Sequence, residues 1–247
     1  MTITLYHMDP LSNGLKCLLA LKEKRLDFTS VYIDLLKFEQ HQPEFLAVNP
    51  DGEIPVLVHD GFKLSQSTVI LEYLEDAFPE TPHLRPNSPQ DAARMRKWNK
   101  FIDEHVWSYV SLHGFHRGIG PMLRAQFDEV GMENLLSRIP LEEKRIKWRG
   151  AWKGFSTAEL DNAARKVGIA VDQANAQLAH SPWLIGDEFS MADINLFADL
   201  GLALDSLFPE IGTACRAPHL LDWVARMHER TSVQATLAMS RPQPAAS

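Results

Sequence analysis

The sequence has few cysteines, no long apolar run and no excess of positive charge. Its 247 residues include only Cys17 and Cys215, and neither belongs to a CxxC pair. Two isolated thiols are typical of a reducing cytoplasm, and the first residues lack the pattern of a secretory signal. No apolar run approaches the ~18 residues of a membrane-spanning helix. We therefore expect a cytoplasmic protein that does not insert into a membrane.

The distribution of charge argues against several classes of partner. The net charge is -7, and residues 1–80 hold 13 acidic and 6 basic side chains, whereas the remaining residues hold 19 of each. A chain that binds nucleic acid or an anionic lipid surface normally presents a basic face, which this balance does not predict. Cysteine and histidine do not occur at zinc-site spacing, so no metal is expected.

A segment dense in proline divides the chain. Prolines stand at positions 79, 82, 86 and 89, and neither a helix nor a central strand tolerates that density. The charge balance changes at the same point. We therefore predict a first domain at residues 1–80, a linker at 81–89, a second domain at 90–240 and a flexible tail at 241–247.

The hydrophobic periodicity differs between the two parts. Before the linker, strand and helix patterns alternate in the order βαβαββα, which is typical of an α/β layer architecture. After it the patterns are almost all helical, beginning with a long helix at 90–118. The apolar face predicted for that helix consists of Trp98, Phe101, His105, Tyr109 and Leu112. Ser190 and Asp193 have the spacing of a capping box at a later helix.

The residues Gly-Glu-Ile-Pro at 52–55 open the third predicted strand. Proline cannot donate to a strand ladder, so its place there needs a reason. A cis peptide bond at Pro55 would turn the backbone groups of Ile54 outward, where they would pair with a bound peptide as an added strand does. A trans proline at a strand start explains the same residues, and both interpretations stay open.

Two helix starts have features of an anion site. Ser67 begins the helix after the fourth strand, so a carboxylate is expected to bind its hydroxyl and the free amides, while Gln66 accepts from an ammonium. The amides after Asn13 and Gly14 are placed to lower the pKa of a thiol above them. Capping alone explains Ser67, and Asn-Gly is a common turn, so each signal is weak by itself.

Together these features resemble the cytosolic glutathione transferase family. The resemblance rests on the βαβαββα order, Ile-Pro at 54–55, Gln-Ser at 66–67, the proline-rich boundary and the helical second part. It runs from Thr2 to about Ser240. It implies a thioredoxin-like α/β N-terminal domain followed by an all-α helical bundle domain that binds the second substrate, with glutathione as co-substrate.

Several stretches are similar to a narrower group, the bacterial glutathione-dependent β-etherases of lignin breakdown and related fungal transferases. They are KFEQH at 37–41, NPDGEIP at 49–55, QSTVILEYLED at 66–76 and IKWR at 146–149. This similarity implies that the glutathione thiolate attacks the β-carbon of a lignin-derived aromatic ketone. The β-aryl ether bond then breaks and a phenol leaves.

The family resemblance also assigns residues to glutathione, from its γ-glutamyl end to its glycyl end. They are Gln66, Ser67, Ile54, Pro55, Glu53, Lys37, Gln40 and His41. The first two are expected to meet the γ-glutamyl group, and the backbone before a cis proline is expected to pair with the cysteinyl unit. The last three are expected near the glycyl carboxylate, although a solvated helical surface also explains them.

The thiol-activating group is expected at the start of the first helix, where the candidates are Ser12 and Asn13. Close relatives tend to carry serine where this chain has Gly14, which has no side chain to donate to a thiolate. Three explanations stay open: Asn13 or Ser12 supplies the hydrogen bond, backbone amides suffice, or the chain alone is a weak catalyst. We interpret Cys17, one turn further on, as a core residue.

An aromatic substrate needs an apolar cleft with a few polar groups. The residues assigned to it are Met8, Trp107, Tyr109, His113, His116 and Trp148. Tyr109 and the two histidines are expected to anchor ether or ketone oxygens, while a core role for Tyr109 stays open. The basic stretch at 138–153 is expected to form a lid over anionic glutathione, or simply a solvated face.

Three hypotheses follow for the activity. The first is a β-etherase that acts on a lignin-derived aromatic ether. The second is a weakly or non-catalytic subunit that works in a heterodimer with a related chain. The third is a general glutathione transferase for hydrophobic aromatic electrophiles. The family resemblance implies a two-fold dimer in each case, and the sequence leaves open whether the partner is identical.

Overall fold

The computed structural model describes residues 1–8 and 13–239. The first part contains a sheet of four strands, β1 (Ile3–His7), β2 (Thr29–Tyr32), β3 (Val56–His59) and β4 (Phe62–Ser65). Their order in the sheet is β2-β1-β3-β4. β2 is parallel to β1, while β1 with β3 and β3 with β4 are antiparallel.

Alternating side chains give the sheet two apolar faces. Leu5 and Leu57 point to one face, where they join the core formed with α1 (Gly14–Glu23) and α3 (Ser67–Ala77). Val56 and Tyr6 point to the other face. There they meet a short helical region that includes α2 (Pro43–Leu46) and follows two 3-10 turns, Leu35–Lys37 and Glu39–His41. The predicted thioredoxin-like order βαβαββα is confirmed.

The second part is helical, as predicted. Its helices are α4 (Pro89–Phe101), α5 (Trp107–Gly114), α6 (Gly120–Gln126), α7 (Glu129–Leu136), α8 (Glu142–Lys153), α9 (Thr157–Leu178), α10 (Met191–Leu196), α11 (Leu204–Leu207), α12 (Pro218–Glu229) and α13 (Thr231–Leu237). Residues 78–88, between α3 and α4, form neither helix nor strand. The predicted domain limits coincide with this stretch but remain predictions, and the tail at 241–247 lies outside the described residues.

The long helix predicted at 90–118 is interrupted by π-helical segments at Ile102–Val106 and Phe115–Ile119. A π-helical turn holds an extra residue and rotates the side chains that follow. The predicted apolar face is therefore partly wrong. Ile102 and Val106 are fully buried, whereas His105 is exposed. A third π-helical segment, Phe197–Gly201, follows α10.

The main apolar cluster extends from the sheet into the helices. It joins Leu5 and Leu18 of the first part to Ile194 and Trp223 of the second. The predicted capping box of α10 is present, with Ser190 and Asp193 bonded to each other. Within the described residues, 1–8 and 13–239, no helix has both the length and the apolar composition needed to cross a membrane.

Candidate active site

A cavity of about 420 Å³ lies between the sheet and the helices. The first part contributes the turn before α1, the 3-10 turns and the loop before β3. The second part contributes α5, the π-helical segments at Phe115–Ile119 and Phe197–Gly201, and one face of α8. Most of the lining is apolar. Its polar groups come from both parts, namely Asn13, Gln40, His41 and Glu53 from the first and Ser111, Lys144, Lys147, Asp199 and Ser206 from the second. This combination is typical of a binding site for a small organic molecule.

His41 forms part of the polar wall of the cavity. It ends the turn Glu39–His41 and is only 6% exposed. Burial lowers the pKa of its imidazole to about 4, so the ring is neutral at physiological pH. Neither ring nitrogen has a hydrogen-bond partner among residues 1–8 and 13–239. A neutral imidazole offers one donor and one acceptor to a ligand.

Gly52 fixes the position of that ring. Its φ is +66°, in the left-handed region that glycine adopts without strain. A Cβ at this position would lie 2.4 Å from Nδ1 of His41. Glycine is therefore required both by the backbone conformation and by the close approach of the imidazole.

Two amide side chains add further unused hydrogen-bonding groups to the cavity wall. Oδ1 of Asn13 and Oε1 of Gln40 are buried, and no described residue donates to either. Asn13 immediately precedes α1 and does not use its side chain to cap that helix. Buried polar atoms without partners are rare in folded proteins. Their presence here fits a ligand with several polar groups, as a tripeptide has.

The loop before β3 brings a backbone edge to the cavity. The peptide bond between Ile54 and Pro55 is cis, which decides between the two interpretations left open by the sequence. Glu53 and Ile54 line the cavity, while Pro55 is buried beside them. The carboxylate of Glu53 pairs with Lys144 of α8 at 2.5 Å. This ion pair joins the two parts of the chain at the cavity wall.

Gln66 and Ser67 lie at the same end of the sheet. Ser65 is paired with Val56, so the next residue, Gln66, stands opposite Pro55. Gln66 has a φ of 72°, a strained conformation for a residue with a side chain. It is exposed, whereas Ser67 is buried at the first turn of α3. Neither residue lines the cavity itself, and both adjoin it through the Ile54–Pro55 edge.

Lys37 stands apart from the cavity. Its side chain is 64% exposed and its Nζ lies 3.4 Å from Asp34. Lys37 is therefore a solvated residue, as the simpler interpretation of this helical stretch predicts. The other two candidates for the glycyl end, Gln40 and His41, both line the cavity.

Aromatic rings form the opposite wall. Trp148 is 6% exposed and packs against Phe38 and Phe115, with ring centroids 4.9 and 5.2 Å away. Trp107 and Met8 also line the cavity. Three of the residues predicted to contact substrate, namely Met8, Trp107 and Trp148, therefore reach the cavity. Flat apolar walls of this kind suit an aromatic ligand.

The other three predicted substrate residues lie outside the cavity lining. His113 is buried, its Nε2 is 3.1 Å from the carbonyl oxygen of Leu160, and its ring packs against Phe208. His116 packs against Phe155. Tyr109 packs against the main core. The helical period of α5 explains two of these positions, because Trp107, Val110, Ser111 and Gly114 share the face that lines the cavity, while Tyr109 and His113 lie on another face.

Helix α8 presents two different faces. Lys144, Lys147 and Trp148 line the cavity. On the other face, Arg149 bonds to Glu133, and Arg145 donates to the carbonyl oxygen of Ile139. One face of the basic stretch therefore lines the cavity and the other is a surface face, while its role as a lid over glutathione stays a prediction.

Sequence reasoning missed Ser111, Ser206 and Asp199, which also line the cavity. Asp199 was detectable, because it interrupts the apolar run at 194–202. Its side chain is fully buried and pairs with Lys16 of α1 at 2.8 Å. Burial raises the pKa of Asp199 to about 6. Ser12 lies outside the described residues, and Cys17 is a core residue whose thiol pKa is raised by burial.

Comparison with known proteins agrees with this geometry. The profile of the glutathione S-transferase N-terminal domain matches residues 1–76, and that of the C-terminal domain matches residues 157–226. Protein LigF of Sphingobium sp. strain SYK-6 is 38% identical over 98% of this chain and 95% of its own length. Glutathione S-transferase 3 of Zea mays is 29% identical over 96% of this chain and 93% of its own.

Among solved structures, the beta-etherase LigF from Sphingobium sp. strain SYK-6 superimposes with a TM-score of 0.91 at 38% identity. The match covers 96% of this chain and 98% of that one. The similarity therefore spans the sheet, the helices and the cavity between them. On the strength of both domain profiles and this full-length relative, the chain belongs to the glutathione S-transferase family, whose enzymes use glutathione as co-substrate.

Proposed function

We propose that this chain is a glutathione-dependent β-etherase that cleaves β-aryl ethers of lignin-derived aromatic ketones. The observation that carries the proposal is its likeness, along almost its whole length, to a protein described as a beta-etherase. The cavity supports it, because its lining combines polar groups that lack protein partners with the aromatic rings of Trp107, Phe115 and Trp148. A tripeptide thiol needs polar groups to bind its backbone and carboxylates, and an aromatic ketone needs apolar walls.

The reaction requires a thiolate next to an electrophilic carbon. The glutathione sulfur forms a bond to the β-carbon, the bond from that carbon to the aryloxy oxygen breaks, and the oxygen leaves with the electron pair. Deprotonating the thiol near pH 7 is the main task of the protein. We propose that Asn13 and the first amides of α1 perform it, with Ser12 as the second candidate.

We propose that glutathione lies along the polar wall. The γ-glutamyl group meets Gln66 and Ser67, and the cysteinyl backbone pairs with Ile54. The glycyl end reaches Gln40 and His41, whose buried polar atoms lack protein partners. Lys37 is a less favourable candidate, since its ammonium is solvated.

Turnover of a model ether tests the function. We expect the purified chain to release methoxyphenol from a β-aryl ether ketone, with one glutathione thioether formed for each phenol. Samples without glutathione should release none. No phenol release, combined with rapid conjugation of unrelated electrophiles, would instead favour a general glutathione transferase. Activity that appears only after mixing with a related chain would favour the heterodimer hypothesis.

Assembly and location complete the proposal. We propose a two-fold dimer, supported by Phe62 and Val69, which are 53% and 52% exposed on β4 and α3. Light scattering after size exclusion separates a dimer from a monomer. Because reduced glutathione is a thiol of reducing compartments, we place the protein in the cytoplasm.

Gly52→Ala tests the polar wall. We expect the dissociation constant for glutathione to rise by roughly tenfold, because the new Cβ displaces the imidazole of His41. Isothermal titration measures it. Gly61→Ala is the matched control, since Gly61 has a φ of +87° with no atom within 4 Å of its Cβ position. Both variants should lose stability from their positive φ, and Gly52→Ala should lose more because of its clash with His41. Only Gly52→Ala should lose affinity, so equal affinities of the two variants would contradict the assignment.

A further inference from the structure

Lys147 brings a positive charge to the aromatic side of the cavity. It lies on α8 next to Trp148, and both side chains line the cavity. Its Nζ stands 4.4 Å from the ring centroid of Phe115 and 5.5 Å from that of Trp107. The ammonium is therefore held against the rings that form the proposed wall for an aromatic substrate.

The protein provides little compensation for this charge. Ser111 Oγ accepts a hydrogen bond from Nζ at 3.0 Å. No ion pair joins Lys147 to a carboxylate in the part of the chain that the structure describes, and the nearby Glu53 is already paired with Lys144. Burial and the repulsion of Lys144 lower the pKa of Lys147 to about 8.

Even a partly buried ammonium is costly without a counter-ion. Faces of aromatic rings attract a cation but do not neutralise it. The Lys147 ammonium is therefore placed to bind an anionic group of a ligand. In the proposed reaction, negative charge develops on the aryloxy oxygen as its bond to carbon breaks.

We propose that Lys147 is a catalytic residue that binds the departing aryloxy oxygen and gives it a proton. This inference rests on the proposed β-etherase function. The thiolate sulfur forms the bond to the β-carbon, and the electron pair of the carbon–oxygen bond goes to the oxygen. One proton then moves from the ammonium to that oxygen, which leaves a phenol and a neutral amine. Water returns a proton to the amine.

Other titratable groups share the cavity with Lys147. His41 and Glu53 face it from the first part, Lys144 lies on the same helix, and Asp199 lies on the π-helical segment after α10. None of them is as well suited as Lys147 to stabilise an anion. Glu53 and Lys144 pair with each other, and Asp199 pairs with Lys16. His41 is neutral.

A series of ethers that differ only in the acidity of the departing phenol tests the proposal. We expect Lys147→Met to slow release of methoxyphenol by roughly 100-fold and release of the much more acidic 4-nitrophenol only slightly. A poor leaving group depends on proton donation and a good one does not. Lys147→Arg, which stays charged, should recover part of the loss. In the wild type, kcat/KM should fall as the pH rises through about 8, where the ammonium loses its proton.

Lys153→Met is the matched control, because Lys153 is an exposed lysine on the same helix; it should match the wild type with every ether. Equal slowing of all ethers by Lys147→Met would overturn the proposal in favour of a structural role. An increase only in KM for glutathione would overturn it in favour of a glutathione contact.

Binding of 4-nitrophenol tests Lys147 without any turnover. Its anion absorbs visible light, so absorbance reports its ionisation in the cavity. We expect the wild type to favour the bound anion and Lys147→Met to lose that preference by at least tenfold; equal preference would overturn the proposal. An inactive wild type that still shows this difference would contradict the β-etherase function but not the site at Lys147.

Discussion

Lys16→Met is expected to lower the free energy of unfolding by about 3–5 kcal/mol near neutral pH. Lys16 is 1% exposed within α1, and its ammonium pairs with Asp199 at 2.8 Å and Asp103 at 3.2 Å. Removing it leaves the fully buried carboxylate of Asp199 without its counter-ion. An unpaired buried charge costs far more than the ion pair itself contributes. Urea denaturation measures the change.

The pH dependence of that loss identifies its cause. Burial already raises the pKa of Asp199 above its ordinary value of 3.8, to about 6, and loss of Lys16 raises it further. An acid whose pKa is raised on folding favours the folded state at low pH and disfavours it once ionised. The deficit of Lys16→Met should therefore shrink as the pH falls below about 6 and grow above it.

Two further variants complete this experiment. Adding Asp199→Asn to Lys16→Met removes the orphaned charge and should restore part of the stability. Lys22→Met lies on the same helix, and Lys22 forms no ion pair with any residue that the structure describes, so this variant should change the free energy of unfolding by less than about 0.5 kcal/mol. A loss below about 1 kcal/mol in Lys16→Met near neutral pH would contradict the buried ion pair.

Asp193→Ala is expected to cost about 3–5 kcal/mol of stability. The buried carboxylate accepts hydrogen bonds from the backbone N–H groups of Leu184 and Ser190, each at 3.0 Å, and from Trp223 Nε1 at 3.0 Å. The Ser190 hydroxyl also donates, at 3.1 Å. Alanine leaves all four donors buried without an acceptor. Thermal and urea unfolding measure the loss.

The chain contains its own control for Asp193. Ser156 and Glu159 form a second capping box, at the start of α9, and Glu159 is exposed. Because water replaces the lost acceptor there, Glu159→Ala should cost only about 1 kcal/mol. The two capping boxes have the same pattern of local hydrogen bonds and differ in burial. Similar losses of stability in the two variants would therefore contradict a dominant effect of burial.

Local signals explain why the fold was largely predictable. Strand alternation at Leu5 and Leu57 and the helical period from Leu15 determine the layers of the first part, and Ser190 with Asp193 indicates the start of α10. The interrupted helix at 90–118 was not predictable, because π-helical turns depend on tertiary packing rather than on a sequence pattern. Tyr109, His113 and His116 were assigned to the site with the whole stretch 107–116, of which only one helical face lines the cavity.

The site was predictable where residues adjoin one another in the chain. Ile54, Gln40 and His41 stand in short motifs whose loops reach the cavity directly. Lys147 and Asp199 come from separate helices that meet only in the folded chain, so their proximity to the cavity has no local signal. The sequence nevertheless held two hints, a basic stretch at 138–153 and a lone acid in an apolar run.

The π-helical segments mark the places where the helices around the cavity would lose one residue with the least effect on the side chains beyond. Phe115–Ile119 supplies Phe115 and Ile119 to the lining, and Phe197–Gly201 supplies Asp199. Deleting one residue from such a segment would restore an ordinary α-helix, and the side chains beyond it would keep nearly the same orientation, because a π-helical turn already holds one residue more than an α-helical turn. A deletion of a single codon there would therefore change only the part of the wall that the segment itself supplies and leave the rest of the cavity in place.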